Sequence, residues 1–514
     1  MTADIVREAT SAPFAATVAA VLADAEAREG ARTILVADGR KISVAALAAE
    51  ARAVAADLAA MGIAPGDPVI TMLGNGPNHV ALFLGIALAG ALWVPLNPEA
   101  RGPSLAHSLA TARPVLAFAA EQAAAALTEA GYEGRTEIAD GWTGPARAAP
   151  QVAPHSAASP DDVRAILFTS GTTGPPKGVM VTERMLLASA AGTQIASDCE
   201  AGDVFLMWEP LHHIGGSQLV VMALLHGAKL VMVPRFSASR FWGDVRAHGV
   251  TKLHYLGGIL EILLKAAPKA DDREHPVHIA FGGGCRSEVW RTFEARFAIP
   301  IREVYGMTEA SSFTTINRNG TVGSVGTPLP WFEVTLRDEA GAPVAPKEAG
   351  EFTVTASHPG LLTPGYLGAP EATGRLLRDG RLHTGDLGRR DAAGNYFFIG
   401  RVTDSLRRRG ENVSAWEVET ALVAHPDIAE SAVVGVPASI GEHDILCFVM
   451  LAEGARFDAE ALTAWCRTAM PPHHVPRYWK SVEDFARTPS QRIRRDQLDR
   501  SLDGAVDTAP ARDR

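Results

Sequence analysis

Apolar and polar positions follow two different periods along this chain. Ser43 to Met61 is rich in alanine with apolar positions at helical spacing, and Ser43 is placed to cap that helix. Pro68 to Leu73 is a short apolar run that predicts a buried strand, and Ala81 to Leu96 predicts a buried helix that runs into a strand. A second block of strand–helix alternation extends from Ile166 to Ile301. This pattern predicts βα units stacked around parallel sheets.

The pattern changes in the last third of the chain. Residues 320–400 read as short strands with turns, and a mixture of strands and helices follows Arg401. We therefore predict an α/β fold: a large N-terminal domain of stacked βα sheets with a small barrel-like β portion, and a small, mobile α+β C-terminal domain. The predicted boundaries are 1–400 for the large domain, 401–403 for a linker, 404–502 for the small domain and 503–514 for a disordered tail.

Composition narrows the class of protein. The chain has 514 residues, 47% of them hydrophobic and 21% charged, which is typical of a globular protein of two or three domains. The net charge of -10 argues against a nucleic-acid partner. No apolar stretch is long enough to span a membrane, and acidic residues interrupt the N-terminus, so no signal peptide is expected. Four scattered cysteines predict free thiols in a reducing compartment, and hence a cytoplasmic protein.

One segment carries the strongest chemical signal. The predicted strand that ends at Phe168 leads into a loop of hydroxyl residues and glycines, and the loop ends at Lys177. Glycines let backbone N–H groups turn toward one point, and a lysine adds a mobile positive charge, so the loop predicts a polyphosphate cradle. It is not a P-loop, because the lysine follows Pro175-Pro176 and no Gly-Lys-Ser/Thr opens a helix.

Three further motifs follow this loop in a characteristic order. They are Tyr305-Gly306-Met307-Thr308-Glu309, Thr384-Gly385-Asp386 and Gly400-Arg401-Val402-Thr403-Asp404. With them the chain resembles the adenylate-forming ANL superfamily of acyl-CoA synthetases, peptide-synthetase adenylation domains and luciferases, over nearly its whole length. Three segments are similar to the carnitine/crotonobetaine-CoA ligase-like branch, namely 97–102, 281–285 and 407–414.

The resemblance implies a two-step reaction. An acid attacks the α-phosphorus of ATP to give an acyl-adenylate and pyrophosphate, and the thiol of CoA then displaces AMP. It implies an AMP-binding domain at 1–400, ATP and Mg²⁺ as cofactors, and CoA as co-substrate. The implied phosphate-binding residues are Thr169, Ser170, Gly171, Thr172, Thr173, Gly174 and Lys177. The implied metal ligands are Glu309 and Thr169, and the implied nucleoside-binding residues are Gly282, Gly283, Gly284, Tyr305, Gly306, Met307, Thr308, Asp386 and Arg401.

Each assignment has a structural alternative. Tyr305 could be a core aromatic residue, Glu309 a carboxylate favoured by a helix N-terminus, and Asp386 a turn residue. The shared order of the motifs favours the functional interpretation over these three.

The acid site is predicted around His213, which matches the histidine of a family motif. His212 stands where relatives usually have an aromatic residue, so the entrance is expected to be more polar and to select a small or polar acid. A pair of satisfied interior histidines is the structural alternative. The full predicted pocket consists of Trp208, His212, His213, Tyr255, Gly257, Gly258, Gly284, Met307 and Ser312.

The small domain should supply the remaining groups. Asp404 matches the hinge on which this domain swings between the two half-reactions, and Gly410 matches the glycine beneath the pantetheine arm. Arg407 and Arg409 either contact CoA or belong to a solvated charged face. Arg492 stands where the family has its adenylation lysine, and the two cations are not equivalent at a tight site. The predicted catalytic set is Arg492, Lys177, His213 and Glu309.

Two alternatives to an acid–CoA ligase stay open. The acceptor could be an amine, in an amide-forming ligase, or nitrite could be activated for an aryl amine by an ATP-dependent diazotase. A non-catalytic nucleotide-binding homologue is the second alternative, supported only by Arg492. The expected partners are a small acid and an acceptor, with no nucleic acid, no membrane span and a homodimer as the assembly.

Overall fold

The protein has two parts built from mixed helices and strands. The structure, a computed structural model, describes residues 15–139, 158–169, 175–285, 287–338, 340–401, 406–408, 411–413, 415–422, 424–438, 442–486, 493 and 495–509. The helices are α1 (Val18–Glu29), α2 (Val44–Ala60), α3 (Pro77–Leu88), α4 (Gly102–Ala112), α5 (Glu121–Glu129), α6 (Glu183–Ser197), α7 (Ile214–His226), α8 (Phe241–His248), α9 (Ile259–Lys265), α10 (Ser287–Phe297), α11 (Pro370–Leu376), α12 (Ala415–Leu422) and α13 (Ala459–Ala469).

The strands fall into three large sheets and a smaller C-terminal group. In the large domain they are β1 (Thr33–Ala37), β2 (Arg40–Ser43), β3 (Pro68–Met72), β4 (Leu92–Pro95), β5 (Leu116–Ala119), β6 (Arg135–Ile138), β7 (Val163–Thr169), β8 (Lys177–Thr182), β9 (Val204–Met207), β10 (Lys229–Met232), β11 (Lys252–Leu256), β12 (Ile279–Gly283), β13 (Ile301–Met307), β14 (Ser312–Ile316), β15 (Thr327–Pro328), β16 (Phe332–Arg337), β17 (Gly350–Ala356), β18 (Leu377–Arg378), β19 (Arg381–Arg390) and β20 (Tyr396–Arg401). Beyond them are β21 (Leu406–Arg408), β22 (Glu411–Val413), β23 (Ile428–Pro437), β24 (His443–Leu451), β25 (Tyr478–Ser481) and β26 (Val506–Asp507).

Two mostly parallel sheets form the body of the large domain. One has nine strands in the order β15-β14-β13-β12-β11-β9-β10-β1-β2, and the other has six in the order β6-β5-β3-β4-β7-β8. The central pairs of both sheets are parallel, whereas β7–β8, β13–β14, β14–β15 and β1–β2 are antiparallel. The carboxyl ends of β11, β12 and β13 therefore meet at one edge, which is where such sheets place their ligands.

Helices and sheets alternate in five layers. The largest apolar core lies between the two sheets and includes side chains of α1, α2, α3, α6 and α7. A second core joins α8, α9 and α10 to the outer face of the nine-stranded sheet, and a third joins α4 and α5 to the six-stranded sheet. Nearly every residue of α3 and α7 is buried, as expected for helices enclosed on all sides.

The third sheet and the small domain complete the fold. β16, β17, β19 and β18 form an antiparallel sheet, with β20 added on β19. In the small domain, β23, β24, β25 and β26 form one sheet, and β21 and β22 form a separate ribbon whose Leu406 and Val413 are buried in that domain's core. Among the described residues, no helix is long and apolar enough to cross a membrane.

One prediction about the C-terminus is wrong. The tail was expected to be disordered from Asp503 onward, but Val506–Asp507 is a strand that pairs with Tyr478 and Trp479. Two side-chain contacts explain its order: Asp507 accepts hydrogen bonds from Arg477, and Thr508 accepts one from the hydroxyl of Thr463. These partners are distant in sequence, so local composition gave no sign of them.

Candidate functional site

The predicted phosphate loop is bracketed by a β-hairpin. Thr169, the last residue of β7, pairs directly with Lys177, the first residue of β8. The residues between them from Ser170 to Gly174 lie outside the described part of the chain, so their roles stay predictions. The pairing fixes Thr169 and Lys177 side by side at the base of the loop, which is the arrangement that a phosphate cradle requires.

Lys177 and Glu309 are linked through Tyr366. The ammonium of Lys177 lies 5.1 Å from the centre of the Tyr366 ring, and the Tyr366 hydroxyl donates a hydrogen bond of 2.8 Å to Glu309 Oε1. Glu309 belongs to a short 3-10 helix that follows β13, and it is only 5% exposed. A buried carboxylate oriented by a neutral donor fits a hard cation such as Mg²⁺. Tyr366 was not predicted from the sequence, where its only local sign is its position after a turn-forming Pro364-Gly365.

Tyr305 and Asp386 form the second pair of the site. The Tyr305 hydroxyl donates a hydrogen bond of 2.8 Å to Asp386 Oδ2, and both residues are buried. One face of the Tyr305 ring stacks on Phe352, with centroids 4.6 Å apart. Tyr305 is thus a core aromatic residue and also an oriented partner of Asp386. Asp386 lies opposite Arg401 in the register of β19 and β20.

The glycines at the end of β12 are held by a carboxylate. Glu303 accepts hydrogen bonds from the backbone N–H groups of Gly284 and Cys285 and from the hydroxyl of Tyr255. A Cβ at Gly282 would overlap the carbonyl oxygen of Tyr255, so only glycine fits there. Glu303 therefore positions the glycine segment that is predicted to line the base, a role that no sequence motif indicated.

The Tyr255 side chain is enclosed within the large domain. Its side chain is 1% exposed and packs in the core on the outer face of the nine-stranded sheet. Burial and the nearby Glu303 carboxylate raise the pKa of its hydroxyl well above the usual value. The neighbouring residue His254 points to the opposite face, as alternation along a strand requires, and its ring approaches Phe281 and Phe313.

His254 is paired with a buried carboxylate beside helix α7. His254 Nδ1 lies 2.7 Å from Glu209 Oε2, and both side chains are almost fully buried. Trp208 stacks over His254 and donates a hydrogen bond of 3.0 Å to its carbonyl oxygen. The carboxylate of Glu209 occupies the space that a side chain at Gly215 would need. A buried carboxylate and imidazole thus lie next to Trp208, which is predicted to line the acid pocket.

Gly306, Met307 and Ser312 form a tight turn at the end of β13. The register between β13 and β14 shifts at Gly306, and a Cβ there would overlap the carbonyl oxygen of Ser312. Ser312 has a left-handed backbone with φ of 70° and is paired with Met307. Thr308 opens the short helix that carries Glu309. The bulge therefore brings Tyr305 and Glu309 to the same end of the strand.

His212 and His213 meet the small domain. His213 Nε2 lies 2.8 Å from Glu411 Oε2, and the rings of His212 and His213 have centroids 4.5 Å apart. Burial and the neighbouring His213 lower the pKa of His212 well below the usual value, which keeps its ring neutral. In this arrangement the partner of His213 comes from the small domain, and the place of the two histidines in the acid pocket stays a prediction.

Gly257 and Gly258 also contact the small domain. The N–H of Gly258 lies 3.4 Å from Glu442 Oε1, and a Cβ at Gly257 would overlap the same carboxylate. These glycines were expected to leave space for the acid, but in this arrangement Glu442 occupies that space.

The other predicted site residues belong to the linker and the small domain. Asp404, Arg409, Gly410 and Arg492 lie outside the described residues, and the side chains of Arg401 and Arg407 are not described. Their proposed roles remain predictions from the sequence.

Comparisons with known proteins show the family of this chain. The AMP-binding enzyme family matches residues 22–367, and the AMP-binding enzyme C-terminal domain matches residues 417–492. A sulfoacetate–CoA ligase of Cupriavidus necator is 34% identical over 483 residues, covering 90% of this chain and 92% of that protein. A crotonobetaine/carnitine–CoA ligase of Salmonella arizonae is 31% identical, covering 84% of this chain and 88% of that protein.

Two solved structures share the fold. A variant of o-succinylbenzoate CoA synthetase from Bacillus subtilis, bound with a product analogue, has a TM-score of 0.83 at 24% identity and covers 93% of this chain and 98% of that chain. The amide bond synthetase McbA from Marinactinospora thermotolerans has a TM-score of 0.81 at 25% identity, with the same coverage.

The fold and the site thus define an adenylate-forming enzyme. The chain belongs to the AMP-binding enzyme family, within the ANL superfamily of acyl-CoA synthetases, and is an AMP-forming ligase.

Proposed function

We propose that the protein activates a small, polar carboxylic acid with ATP and transfers the acyl group to CoA. The first step forms an acyl-adenylate as the acid oxygen bonds to the α-phosphorus and pyrophosphate leaves. The second forms a thioester as the CoA sulfur bonds to the acyl carbon and AMP leaves. Family membership supports both steps, and two relatives are named as CoA ligases.

One observation carries the proposal. β13 brings Tyr305, with its bond to Asp386, and Glu309, with its bond to Tyr366, to the same end of one strand beside the glycines of β12. The Asp386 carboxylate, oriented by Tyr305, can accept hydrogen bonds from the two hydroxyls of a ribose. The buried Glu309 carboxylate, linked to Lys177 through Tyr366, suits a metal ion held between phosphates.

The residue roles follow from this arrangement. Asp386 accepts hydrogen bonds from the ribose, and the backbone of Gly282 to Gly284 lines the base. Lys177 neutralises phosphate charge. Glu309 and the hydroxyl of Thr169 would hold Mg²⁺, which supplies positive charge at the phosphates when bound. Tyr305 and Tyr366 orient the two carboxylates.

The acid is proposed to be small and to carry a second polar or charged group. Trp208 and His213, two predicted pocket residues, are followed or preceded in the chain by Glu209 and His212, and Glu209 is paired with His254. Two relatives are named for sulfoacetate and for crotonobetaine or carnitine, which are small acids with a second charged group. Buried polar groups reject a ligand that leaves them without partners.

An amine is the second candidate for the acceptor. The likeness to an amide bond synthetase, at a TM-score of 0.81 and 25% identity, supports it. Product analysis with CoA and with an amine distinguishes the two acceptors.

The test measures pyrophosphate release from ATP and Mg²⁺ with a panel of acids. The panel contains sulfoacetate, betaine-type acids, short aliphatic acids, aryl acids and nitrite, each alone, with CoA and with an amine. We expect release with a small polar acid and a matching acyl-CoA by mass spectrometry. Pyrophosphate release that does not depend on CoA and that yields an amide would support the amine as acceptor. The absence of pyrophosphate release with every acid would contradict adenylation.

Two variants separate the site from general stability. Asp386→Asn should weaken ATP binding by about tenfold or more, because it removes the charge that accepts the ribose hydrogen bonds. Asp391→Asn removes a carboxylate from the turn of the same β19–β20 hairpin, where Asp391 binds Asn395, and should leave ATP binding unchanged. Equal effects of the two substitutions would contradict the assignment of Asp386.

Further proposals rest on the sequence. Arg492 is proposed as the adenylation cation, and Arg492→Ala should slow adenylation while sparing thiolysis of a supplied adenylate. Asp404 is proposed as the hinge, with Arg407, Arg409 and Gly410 along the CoA path. A cytoplasmic location and a homodimer are proposals that cell fractionation and light scattering can test.

A further inference from the structure

A group of three side chains spans the two domains. His212 and His213 lie just before α7 in the large domain, and Glu411 lies on the β22 strand of the small domain. One ligand atom of each, an imidazole nitrogen or a carboxylate oxygen, lies within 4.8 Å of the others. We call this group the interdomain triad.

The donor atoms suit a borderline divalent metal. Two imidazoles and one carboxylate are a ligand set that zinc accepts at open sites, with a fourth position left for water or another ligand. Around a tetrahedral ion with ligand distances of about 2.0–2.1 Å, neighbouring donor atoms are about 3.4 Å apart. The 2.8 Å between His213 Nε2 and Glu411 Oε2 and the 4.8 Å limit of the triad bracket that spacing, so small side-chain rotations suffice.

The unpartnered ring of His212 also favours a metal. Neither of its nitrogens has a hydrogen-bond partner among the described residues. A buried imidazole without a partner is costly, and a metal bond would relieve that cost.

The surroundings of the triad are partly open to solvent. His473 of the small domain acts electrostatically on both His212 and Glu411, so it lies near the triad. His213 is 37% exposed and Glu411 is 23% exposed, which leaves a path for an ion from solvent.

We propose that His212, His213 and Glu411 form a site for Zn²⁺ or a similar transition-metal ion that fastens the small domain onto the large one. Mg²⁺ is not the ion of this site, because it prefers an all-oxygen shell. The metal displaces the proton shared by His213 and Glu411 and releases it to solvent. Binding itself does not depend on the proposed function. Its consequence does: a fastened small domain cannot leave for the other half-reaction, so Zn²⁺ should inhibit turnover.

The test titrates Zn²⁺ into the full-length protein against a chromophoric zinc indicator, in the presence of excess Mg²⁺. We expect one tight site per chain. His212→Asn and Glu411→Gln should each weaken binding by about tenfold or more, since each removes a ligand. His107→Asn is the matched control, because it removes a histidine from α4, and it should bind Zn²⁺ like the wild type. Circular dichroism checks that each variant is folded.

Two further readouts make the result decisive. Small-angle X-ray scattering should show a narrower range of domain arrangements with Zn²⁺ in the wild type and no such change in Glu411→Gln. Where turnover is detected, Zn²⁺ should inhibit it, and a zinc-selective chelator should restore it. Absence of tight binding, or equal binding by all variants, would overturn the proposal. Tight, triad-dependent binding in a protein that activates no acid would uphold it and contradict the proposed function instead.

Discussion

The hydroxyl of Tyr305 offers a sharp test of the nucleotide site. Tyr305→Phe removes the donor to Asp386 Oδ2 and leaves the ring in place on Phe352. Tyr396→Phe is a closely matched control, because the Tyr396 ring also approaches Phe352 while its hydroxyl donates to the carbonyl oxygen of Val334, at 2.6 Å. Each substitution removes a tyrosine hydroxyl from a ring that packs near Phe352. Only the hydroxyl of Tyr305 contacts Asp386.

The size of the effect follows from the charge on the acceptor. A hydrogen bond to a charged group contributes about 1.5–3 kcal/mol, whereas one between neutral groups contributes about 1 kcal/mol. Asp386 and Tyr305 are 5% and 9% exposed, so water does not readily replace the lost donor. Since 1.4 kcal/mol is about a factor of ten, Tyr305→Phe should raise the KM for ATP by about tenfold to a hundredfold. Tyr396→Phe should lower the melting temperature slightly and leave the KM unchanged.

The assay is pyrophosphate release at varied ATP and saturating acid, with thermal unfolding of each variant as a check on folding. A KM for ATP unchanged in Tyr305→Phe would refute the view that this hydroxyl orients a ribose-binding carboxylate. Equal increases in the KM for ATP in both variants would show that the effect comes from packing around Phe352.

Three further predictions concern the site and its support. Tyr366→Phe should raise the Mg²⁺ concentration needed for half-maximal turnover, because Glu309 loses its 2.8 Å donor; an unchanged Mg²⁺ profile would contradict that role. Gly306→Ala should destabilise the protein by about 3 kcal/mol, because its Cβ overlaps a carbonyl oxygen, while Gly243→Ala in α8, with open space around it, should not; differential scanning calorimetry compares them. Burial lowers the pKa of the His79 side chain to about 4. As the pH falls, His79 is therefore protonated in the unfolded chain before it is protonated in the folded protein. The stability it contributes is present above about pH 6.5 and is lost as the pH falls through about 4, by about 3 kcal/mol in total. Urea unfolding at several pH values should therefore show a weaker acid dependence in His79→Gln, and an identical dependence would contradict the assignment.

Local patterns predicted the elements well. Ser43 caps α2 by accepting a hydrogen bond from the N–H of Ala46, and Pro68–Met72 is a buried strand of a parallel sheet. The apolar run from Ala81 to Leu96 is a buried helix followed by a strand. These features depend on neighbours a few residues away, and such information is present in the sequence itself.

The parts of the site that depend on distant partners were not predictable in this way. The burial of Tyr255 in the core on one face of β11 could not be read from the sequence, since the register of a strand is set by the whole sheet. Glu303 and Tyr366 act through residues 19 and 57 positions away in sequence, and no motif marked them. The motif residues themselves, such as Tyr305 and Asp386, were found because they recur in a fixed order.

The contact between Gly257 and Glu442 limits which substitutions and domain exchanges this enzyme can accept. A side chain at position 257 would meet the Glu442 carboxylate of the small domain in the arrangement described here. Gly257 also donates a backbone hydrogen bond to the carbonyl oxygen of Gly283, one of the glycines predicted to line the base. A substitution at position 257 should therefore disturb the domain contact and the glycine segment together, and engineered chimeras that exchange the small domain must match the space that Glu442 occupies.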